Sequence, residues 1–334
     1  MVINKKIKRI AVLASGGNSP AMNNVVITLI RKCRYYGIEV KLINNGYKGL
    51  LNSEFIKPDL QVLSYFYATG NIVIGSARCL EFKELYYQKK AYSILMKNKI
   101  DCLFVIGGDG SYHGAQALKK LGMHVICLPG TIDNDVASTE ITIGFSTALN
   151  GIVKNIDAIR NSFDSHLGIC FVEVMGRRFP DLAINAGIAC QAEAIITVKN
   201  ILTTKQIIDI ANQTWKNKHR SCLIVVTEKI YGLDGLPTLK EIAAEVEKAT
   251  KRLTRVDVLG YTQRGGIPTA EDRNLAISMA SYGLNLAISE PNKSFTIDIK
   301  NNKITHTDID KALKLPAKII KENLLKEFNK YCKL

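Results

Sequence analysis

The chain has 334 residues, enough for about two domains, and 47% of them are hydrophobic, as in ordinary globular proteins. No apolar run reaches about 18 residues, so we predict no membrane span. Its eight cysteines form no Cys-x-x-Cys pair, which argues against a zinc site or a disulfide framework and fits the reducing cytoplasm. The formal net charge is +15, but the lysines are dispersed without interleaved aromatic residues, so we expect no nucleic-acid partner and no membrane partner.

Apolar runs alternate with helical patterns along the chain, which predicts parallel sheets covered on both faces and therefore an α/β fold. No repeat or linker is evident, so the domain boundary should be a compact crossover. The predicted elements, in chain order, are a strand at 7–13, a helix at 23–34, a strand at 40–43, a helix at 91–97, a strand at 101–106, a helix at 112–121, a strand at 124–128, a helix through 149–159 capped by Ser146, strands at 169–174 and 222–227, a helix from its cap Thr269 to about 286, and an amphipathic C-terminal segment through Ile319, Ile320, Leu324 and Phe328.

Glycines, acids and arginines are concentrated directly after the apolar runs. Ligands of open α/β sheets bind beyond the carboxyl ends of the strands, so these segments together predict a polyanion site. They are Ser15-Gly16-Gly17-Asn18, Asn45-Gly46-Tyr47, Gly107-Gly108-Asp109-Gly110, Pro129-Gly130-Thr131-Ile132-Asp133-Asn134-Asp135, Met175-Gly176-Arg177-Arg178, Glu228, and Tyr261-Thr262-Gln263-Arg264-Gly265-Gly266.

The segment Gly107–Ser111 joins a strand to a helix through a glycine turn. This geometry aims backbone N–H groups at an anion, and Asp109 could provide an oxygen ligand for a phosphate-bound Mg²⁺. The alternative, that the glycines only allow close packing of the turn, stays open.

Asp133 and Asp135 are two residues apart, so an extended loop could aim both carboxylates to one side, where one accepts a hydroxyl proton. An Asx-turn that only caps the loop is the alternative. Four arginines could neutralise phosphate oxygens, although each could instead form a surface salt bridge; they are Arg78, Arg177, Arg255 and Arg264. Carboxylates, a metal and arginines together indicate phosphoryl transfer.

Eight segments resemble the bacterial-type ATP-dependent 6-phosphofructokinase family, in the family's order and spacing over nearly the whole chain. They are Ser15-Gly16-Gly17, Gly46-Tyr47, Gly75-Ser76-Ala77-Arg78, Gly107–Ser111, Pro129–Asp135, Val172–Arg177, Thr227-Glu228, and Gln263-Arg264-Gly265-Gly266-Ile267-Pro268 with Asp272-Arg273. The resemblance implies two three-layer α/β/α domains with mainly parallel sheets, an active site in the interdomain cleft, and a cytoplasmic homotetramer with sites shared between subunits. It implies an ATP-binding domain of residues 1–144 plus about 263–305, and a sugar-phosphate-binding domain of residues 145–262 plus about 306–334.

The activity that the resemblance implies is Mg²⁺-dependent transfer of phosphate from ATP to the 1-hydroxyl of fructose 6-phosphate. The product would be fructose 1,6-bisphosphate, in the committed step of glycolysis. Two alternatives stay open: a kinase of the family with altered or weakened sugar-phosphate specificity, and a catalytically weak nucleotide-binding regulatory subunit. An NAD kinase or a lipid kinase would share the Gly-Gly-Asp-Gly turn, but neither accounts for segments 131–135 and 264–268.

The resemblance also implies a role for individual residues. For ATP they are Gly17, Tyr47, Arg78, Cys79, Gly108, Asp109, Gly110 and Ser111, with Asp109 as the magnesium ligand. For catalysis they are Asp133, the base for the 1-hydroxyl, with Thr131, Asp135, Arg177, Gly17 and Arg78. For the sugar phosphate they are Thr131, Asp133, Met175, Gly176, Arg177, Glu228, Arg255, Tyr261 and Arg264. Gly110 and Gly130 favour ATP over pyrophosphate as the donor, because pyrophosphate-using relatives typically have an acid and a lysine at these positions.

Several positions depart from the family pattern. Gly168 stands where the family usually has a phosphate-binding arginine, and Tyr261 where it usually has histidine, so we expect weaker sugar-phosphate binding, with Arg178 as a possible compensating cation. Restoring arginine at position 168 should then lower KM. Arg31, Arg160 and Glu193 match the family's effector site, but Ile27 and Leu60 replace its usual arginines. We therefore expect weak or absent control by ADP or phosphoenolpyruvate.

Overall fold

The computed structural model describes residues 7–59, 65–217, 219, 221–233, 235–318 and 322–331. The fold is α/β, as predicted. The chain divides into two compact units, Met1–Thr147 with Arg264–Lys318 and Ala148–Gln263 with Ile319–Leu334. None of the helices in the described ranges is both long enough and apolar enough to cross a membrane.

The strands of the described residues, in chain order, are β1 (Arg9–Ala14), β2 (Glu39–Ile43), β3 (Phe55–Ile56), β4 (Cys102–Gly107), β5 (Val125–Pro129), β6 (Ile169–Val174), β7 (Ala194–Ile196), β8 (Cys222–Thr227), β9 (Thr254–Val258), β10 (Phe295–Lys300) and β11 (Lys303–Asp308). The α-helices are α1 (Met22–Tyr36), α2 (Gly46–Leu51), α3 (Leu85–Lys97), α4 (Asp109–Lys120), α5 (Phe145–His166), α6 (Asp181–Ala189), α7 (Thr204–Lys216), α8 (Leu239–Thr250), α9 (Ala270–Ser289), α10 (Ile309–Ala312) and α11 (Glu322–Tyr331). Short 3₁₀ helices occupy Leu80–Lys83 and Gly260–Arg264.

The first unit is built on a seven-stranded sheet in the order β11-β10-β5-β4-β1-β2-β3. Its strands are parallel except that β3 and β11, at the two edges, pair antiparallel with their neighbours. Alternate residues of β1 point to opposite faces: Ile10 and Val12 pack with α1 and α9, whereas Ala11 and Leu13 pack with α3 and α4. The two buried faces explain why this strand is apolar from Ile10 onward.

The second unit has a four-stranded parallel sheet in the order β7-β8-β6-β9. One face packs against α7 and α8 through Ile207, Ala211, Ile242 and Val246. Both helices begin at a threonine capping box, in which the threonine side chain and a Gln or Glu three residues later satisfy each other's free N–H groups. Parallel strands with covering helices are the architecture that the alternating sequence pattern predicts.

The chain crosses between the units for the third time after Lys318, about a dozen residues later than the sequence suggested. The difference arises because β11 pairs with β10 in the first sheet, from Phe295 opposite Asp308 to Lys300 opposite Lys303. In the C-terminal segment, Ile319 and Ile320 lie outside the described residues. The predicted apolar position Leu324 is 42% exposed, whereas its neighbour Leu325 is 5% exposed, because α11 packs against α6 through the adjacent face.

The start of α5 corrects one prediction. Ser146 lies inside the first turn of this helix rather than at its cap, and its hydroxyl donates a hydrogen bond to Glu271. The N–H groups of Gly144 and Thr147 instead donate to the carboxylate of Asp272, at 2.9 and 2.7 Å. Asp272 is 1% exposed and lies on α9, so a distant helix caps α5, which local sequence spacing could not reveal.

This contact gives a stability prediction. Asp272→Ala leaves two N–H groups of the α5 terminus buried without their acceptor, and should lower the free energy of unfolding by about 2–4 kcal/mol. The neighbouring Glu271→Ala is the control. It removes an exposed carboxylate that accepts a hydrogen bond from the hydroxyl of Ser146, and it should cost less than about 1 kcal/mol. Denaturant unfolding followed by circular dichroism measures both, and equal losses would contradict the role given to Asp272.

Candidate active site

Hydrogen bonds connect the three turns at the carboxyl ends of β1, β4 and β5. The N–H of Ser15 donates to the carbonyl of Ile106 at 2.9 Å, and the N–H of Gly130 donates to the carbonyl of Gly107 at 3.0 Å. The hydroxyl of Ser111 donates to the carbonyl of Ser15 at 3.0 Å. The turns that the sequence predicted to gather at one sheet edge therefore do so within the first unit.

The approach of these turns requires glycine at Gly107. A Cβ there would lie 2.7 Å from the carbonyl oxygen of Ser15, which is backbone and cannot move aside cheaply. Gly108, the next residue, would place a Cβ no closer than 3.6 Å to its neighbours, so its site is sterically open. The first glycine thus serves packing, as the alternative interpretation held, while the turn still leads into the N-terminus of α4.

A cavity of about 670 Å³ opens over these turns, a volume within the range of small-molecule sites. All of the predicted site residues of the first unit line it, namely Gly17, Tyr47, Arg78, Cys79, Gly108, Asp109, Gly110, Ser111, Thr131, Asp133, Asp135 and Arg264. It is also lined by residues that the sequence analysis did not single out, among them Phe82, Lys83 and His113.

Tyr47 forms a wall of the cavity. It is 3% exposed, its ring stacks on Phe82 with centroids 4.2 Å apart, and its hydroxyl donates to the carbonyl of Ser111 at 2.7 Å. Its ring passes so close to α4 that a Cβ at Gly114 would lie 2.7 Å from it. Tyr47 therefore packs against α4 and hydrogen-bonds to its first turn, and the absence of a side chain at Gly114 makes this contact possible.

Asp109 begins α4 with its side chain 62% exposed. Within the described ranges, no group of three or more acidic, histidine or cysteine side chains could hold a metal ion without help. Mg²⁺ typically binds one or two carboxylates and completes its shell with phosphate oxygens and water, so this donor set fits a magnesium ion that arrives with a phosphate ligand. His113, one turn along the helix, has Nε2 3.6 Å from Oδ2 of Asp109, a pairing that the i, i+4 spacing could have revealed.

The loop after β5 holds two carboxylates beside this turn. The N–H of Asp133 donates to Oγ1 of Thr131 at 3.2 Å, and the hydroxyl of Thr142 donates to the carbonyl of Thr131 at 2.6 Å. Burial, followed by the charge of Asp109, raises the pKa of Asp135. Oδ1 of Asp135 is buried and has no hydrogen-bond partner among the described residues, so it can accept a hydrogen bond from a ligand.

Arg264 and Arg78 supply positive charge to the cavity. Nη1 of Arg264 donates to the carbonyl of Asn18 at 3.1 Å and would lie 2.6 Å from a Cβ at Gly17. Gly17 therefore lets this guanidinium lie directly over the turn after β1. Arg78 is exposed along the cavity wall.

In the second unit, the predicted sugar-phosphate residues Met175, Gly176 and Arg177 follow β6 directly. The N–H of Met175 donates to Oε1 of Gln263 at 3.0 Å, and Gln263 is 1% exposed. Gly176 has a φ of 109°, and a Cβ there would lie 2.5 Å from the carbonyl of Phe179, so only glycine fits this turn. Arg177 is exposed. Gln263, whose role no local sequence pattern indicates, anchors this segment through its bond to Met175.

Two carboxylates meet at the ends of β6 and β8. The N–H of Glu228 donates to the carbonyl of Val174 at 2.7 Å, which places Glu228 beside the end of β6. Burial, followed by the negative charge of Glu228, raises the pKa of Glu173. This edge of the second sheet therefore carries two carboxylates, and the positive charge of Lys229 opposes the rise in the pKa of Glu173.

Three further positions that the sequence connected with the sugar phosphate also lie in the second unit. Nη1 of Arg255 pairs with Oε2 of Glu247 at 2.9 Å, and Tyr261 is 83% exposed in a 3₁₀ turn. Gly168 is buried, and a Cβ there would lie 2.8 Å from the carbonyl of Leu253 and 2.9 Å from the ring of Phe163. Gly168→Arg would therefore strain the start of β6, so the decrease in KM expected from the sequence does not follow from the added cation alone.

The residues that match the family's effector site hold one another in the second unit. The carboxylate of Glu193, whose side chain is 6% exposed, accepts from Arg160 at 3.1 Å and from the N–H of Leu223 at 2.7 Å, and lies 3.2 Å from Nδ1 of His219. In the first unit, Ile27 is 5% exposed and packs in the core, while Arg31 is exposed. Leu60 lies outside the described residues.

The raised pKa of Glu173 gives a pH prediction. The native state holds this proton more tightly than the unfolded chain, so the free energy of unfolding should fall as pH rises above the ordinary glutamate value of about 4.3. Glu173→Gln cannot ionise, and its stability relative to wild type should therefore increase between about pH 4 and about pH 8. Thermal unfolding at both pH values measures this, with Glu245→Gln as an exposed control; a constant difference would contradict the burial of a charged Glu173.

Glycine turns, an exposed carboxylate at a helix N-terminus and arginines at the carboxyl edge of a parallel sheet are features typical of α/β proteins that bind phosphate groups. Residues 9–287 match the model of the family described as "Phosphofructokinase". A probable ATP-dependent 6-phosphofructokinase of Malacoplasma penetrans (strain HF-2) is 39% identical over 323 residues, which cover 97% of this chain and 100% of that protein. An ATP-dependent 6-phosphofructokinase of Mycoplasma mobile is 42% identical over 325 residues, 97% of this chain and 98% of that protein.

Solved structures agree on the fold. Phosphofructokinase from Pichia pastoris superposes with a TM-score of 0.84 at 29% identity over 99% of this chain, although the chain spans only 40% of that longer protein. A pyrophosphate-dependent phosphofructokinase from Nitrosospira multiformis gives a TM-score of 0.84 at 21% identity, covering 95% of this chain and 86% of that chain, and speaks for the fold alone. The chain belongs to the phosphofructokinase family, as the sequence resemblance indicated.

Proposed function

We propose that this protein transfers the terminal phosphate of ATP to the 1-hydroxyl of fructose 6-phosphate and so forms fructose 1,6-bisphosphate, the committed step of glycolysis. The observation that supports this most directly is the shared cavity, in which the Asp109 turn, the loop with Asp133 and Asp135, and the guanidinium groups of Arg78 and Arg264 all face one space. Metal ligand, base and cations are the parts that phosphoryl transfer requires.

ATP is the phosphate donor in this proposal. A Cβ at Gly110 would meet nothing within 4 Å, so an acidic side chain there would project freely into the cavity that we assign to ATP and would repel its phosphates. A Cβ at Gly130 would lie 2.8 Å from both Ile106 and Met22, which opposes a lysine at that position. Both glycines thus favour ATP over pyrophosphate, and ATP-dependent enzymes from Malacoplasma penetrans and Mycoplasma mobile are similar to this chain.

In the proposed mechanism, Asp133 accepts the proton of the sugar 1-hydroxyl as its oxygen attacks phosphorus. Asp135, whose pKa burial raises, lies beside it and offers a hydrogen-bond acceptor to the same hydroxyl or to water. Backbone N–H groups at the start of α4 and the guanidinium groups of Arg78 and Arg264 neutralise charge on the phosphate oxygens. When bound to Asp109 and ATP, Mg²⁺ would neutralise negative charge on the phosphates.

We assign ATP binding to the first unit and sugar-phosphate binding to Met175, Gly176, Arg177 and Glu228 of the second. Arg255, with Arg264, would act as a phosphate clamp in a homotetramer with shared sites, where Arg255 would have to leave its pairing with Glu247. Exposed surface ion pairs contribute about 0–1 kcal/mol, so a phosphate group can replace this one. We assign a cytoplasmic location to this protein, because it is similar to ATP-dependent 6-phosphofructokinases, which act in glycolysis.

A kinase of the family with weakened sugar-phosphate affinity is the second candidate. The specific observation in its favour is Gly168, which offers no cation and whose surroundings leave no room for a side chain. Loss of one charge-assisted hydrogen bond weakens binding by about 1.5–3 kcal/mol, or roughly ten- to a hundredfold. Arg178, exposed beside Arg177, is available to compensate.

Turnover is tested with purified protein, Mg²⁺, fructose 6-phosphate and either ATP or pyrophosphate, with aldolase coupled to the product. We expect turnover with ATP, and a kcat about 10²- to 10⁴-fold lower in Asp133→Asn with ATP affinity retained. Asp209→Asn, an exposed carboxylate on α7, is the control and should behave as wild type. No turnover at millimolar sugar phosphate would defeat the proposed activity, whereas full turnover of Asp133→Asn would defeat only the assignment of the base.

We also propose that ADP and phosphoenolpyruvate exert little control. Glu193 already binds Arg160 and the N–H of Leu223, and Ile27 is buried, so an effector would have to displace existing contacts without the usual arginine. Initial rates should follow a hyperbola in fructose 6-phosphate and change little when either effector is added. Sigmoidal kinetics that ADP relieves would contradict this.

A further inference from the structure

Asn134 separates the two carboxylates of the proposed catalytic loop and has a left-handed backbone, with φ at 55°. Among residues other than glycine, asparagine is one of those that adopt this region most often, so the residue type permits the conformation and its hydrogen-bond partners hold it. The conformation matters here because it sets the directions in which Asp133 and Asp135 leave the chain. Asn134 is 5% exposed, so its polar groups must find partners within the protein.

Those partners come from the C-terminal end of the first unit. Nζ of Lys318 donates to the backbone carbonyl of Asn134 at 2.9 Å and to its side-chain Oδ1 at 2.9 Å. A third bond runs from Nζ to the carbonyl of Glu140 at 3.1 Å, and the side-chain amide of Asn134 also donates to that carbonyl at 3.3 Å. An ammonium group has three donors, and these three acceptors match them.

The arrangement closes the loop on itself. Glu140 lies six residues after Asn134, so Lys318 bridges the two ends of segment 134–140, which contains Asp135. The ammonium group of Lys318 therefore binds both Asn134, the left-handed residue, and the backbone at Glu140. Its positive charge also stands near Asp135, where it opposes the effect of burial on the pKa of that carboxyl.

We propose that Lys318 is a positioning residue for phosphoryl transfer: by holding Asn134 in its left-handed conformation, it fixes the directions of Asp133 and Asp135. It touches neither substrate and acts through the loop alone. The proposal rests on the proposed role of Asp133 as the base. Proton transfer requires the base within hydrogen-bond reach of the hydroxyl, so a small rotation of this loop costs rate rather than affinity for ATP.

The test compares three variants in the complete protein. Lys318→Met removes the donors and keeps an unbranched chain of similar length, Lys318→Arg keeps a donor group, and Lys314→Met changes an exposed lysine four residues earlier. We expect Lys318→Met to lower kcat roughly 10- to 100-fold with KM for ATP within about twofold of wild type. Lys318→Arg should recover a large part of that loss, and Lys314→Met should match wild type.

A double variant separates this proposal from the assignment of the base. If Lys318 acts through Asp133, then Lys318→Met should cost little further rate in an Asp133→Asn background, because the oriented group is already gone. A full additional loss there, or a kcat of Lys318→Met equal to that of wild type, would overturn the role of Lys318. A loss that Lys318→Arg does not recover and that parallels a fall in thermal stability would also overturn it, in favour of a merely structural contact. Full activity of Asp133→Asn alone would instead refute the base.

Discussion

The close approach of the turns after β1 and β4 is the constraint on which the rest of the site depends. Gly107 allows it, because any side chain there would run into the carbonyl of Ser15. Once the turns meet, the hydroxyl of Ser111 can bind that same carbonyl, and Tyr47 can support the first turn of α4. The exposed carboxylate of Asp109 and the N-terminus of α4 then face the cavity from fixed positions, as a metal–phosphate ligand requires.

A second constraint acts on the loop after β5, which holds two carboxylates without regular secondary structure. It is anchored by side chains from several parts of the chain: Ser19 donates to the carbonyl of Ile143, Thr142 donates to the carbonyl of Thr131, and Lys318 holds Asn134. Asp272 fixes the start of the helix that follows. These polar contacts position the acids before substrate arrives, which is how a site lowers the cost of reaching the reacting geometry.

The sequence predicted the parts of this arrangement that leave a local signal. Apolar runs and glycine turns marked the strand ends, so many of the residues that line the cavity could be named from the sequence, whereas Phe82 and Lys83 could not. The long-range polar contacts could not be predicted from the sequence, because Lys318 is 184 residues from Asn134 and no pattern in either segment links the two residues. The cap of α5 was misassigned to Ser146 for the same reason: Asp272 binds that terminus from a helix more than a hundred residues later. The sequence did not predict β10 and β11: β10 is largely buried and pairs with both β5 and β11, but the polar residues Thr296 and Asp298 interrupt its apolar pattern.

The account depends on Asp133 as the group that receives the proton of the acceptor hydroxyl. A crystal structure with fructose 6-phosphate, Mg²⁺ and a non-hydrolysable ATP analogue tests this most directly. The account predicts a carboxylate oxygen of Asp133 about 2.6–3.2 Å from the 1-hydroxyl oxygen, with the phosphates over the turn at Asp109. A 1-hydroxyl held by another group, with Asp133 turned away from the sugar, would contradict it.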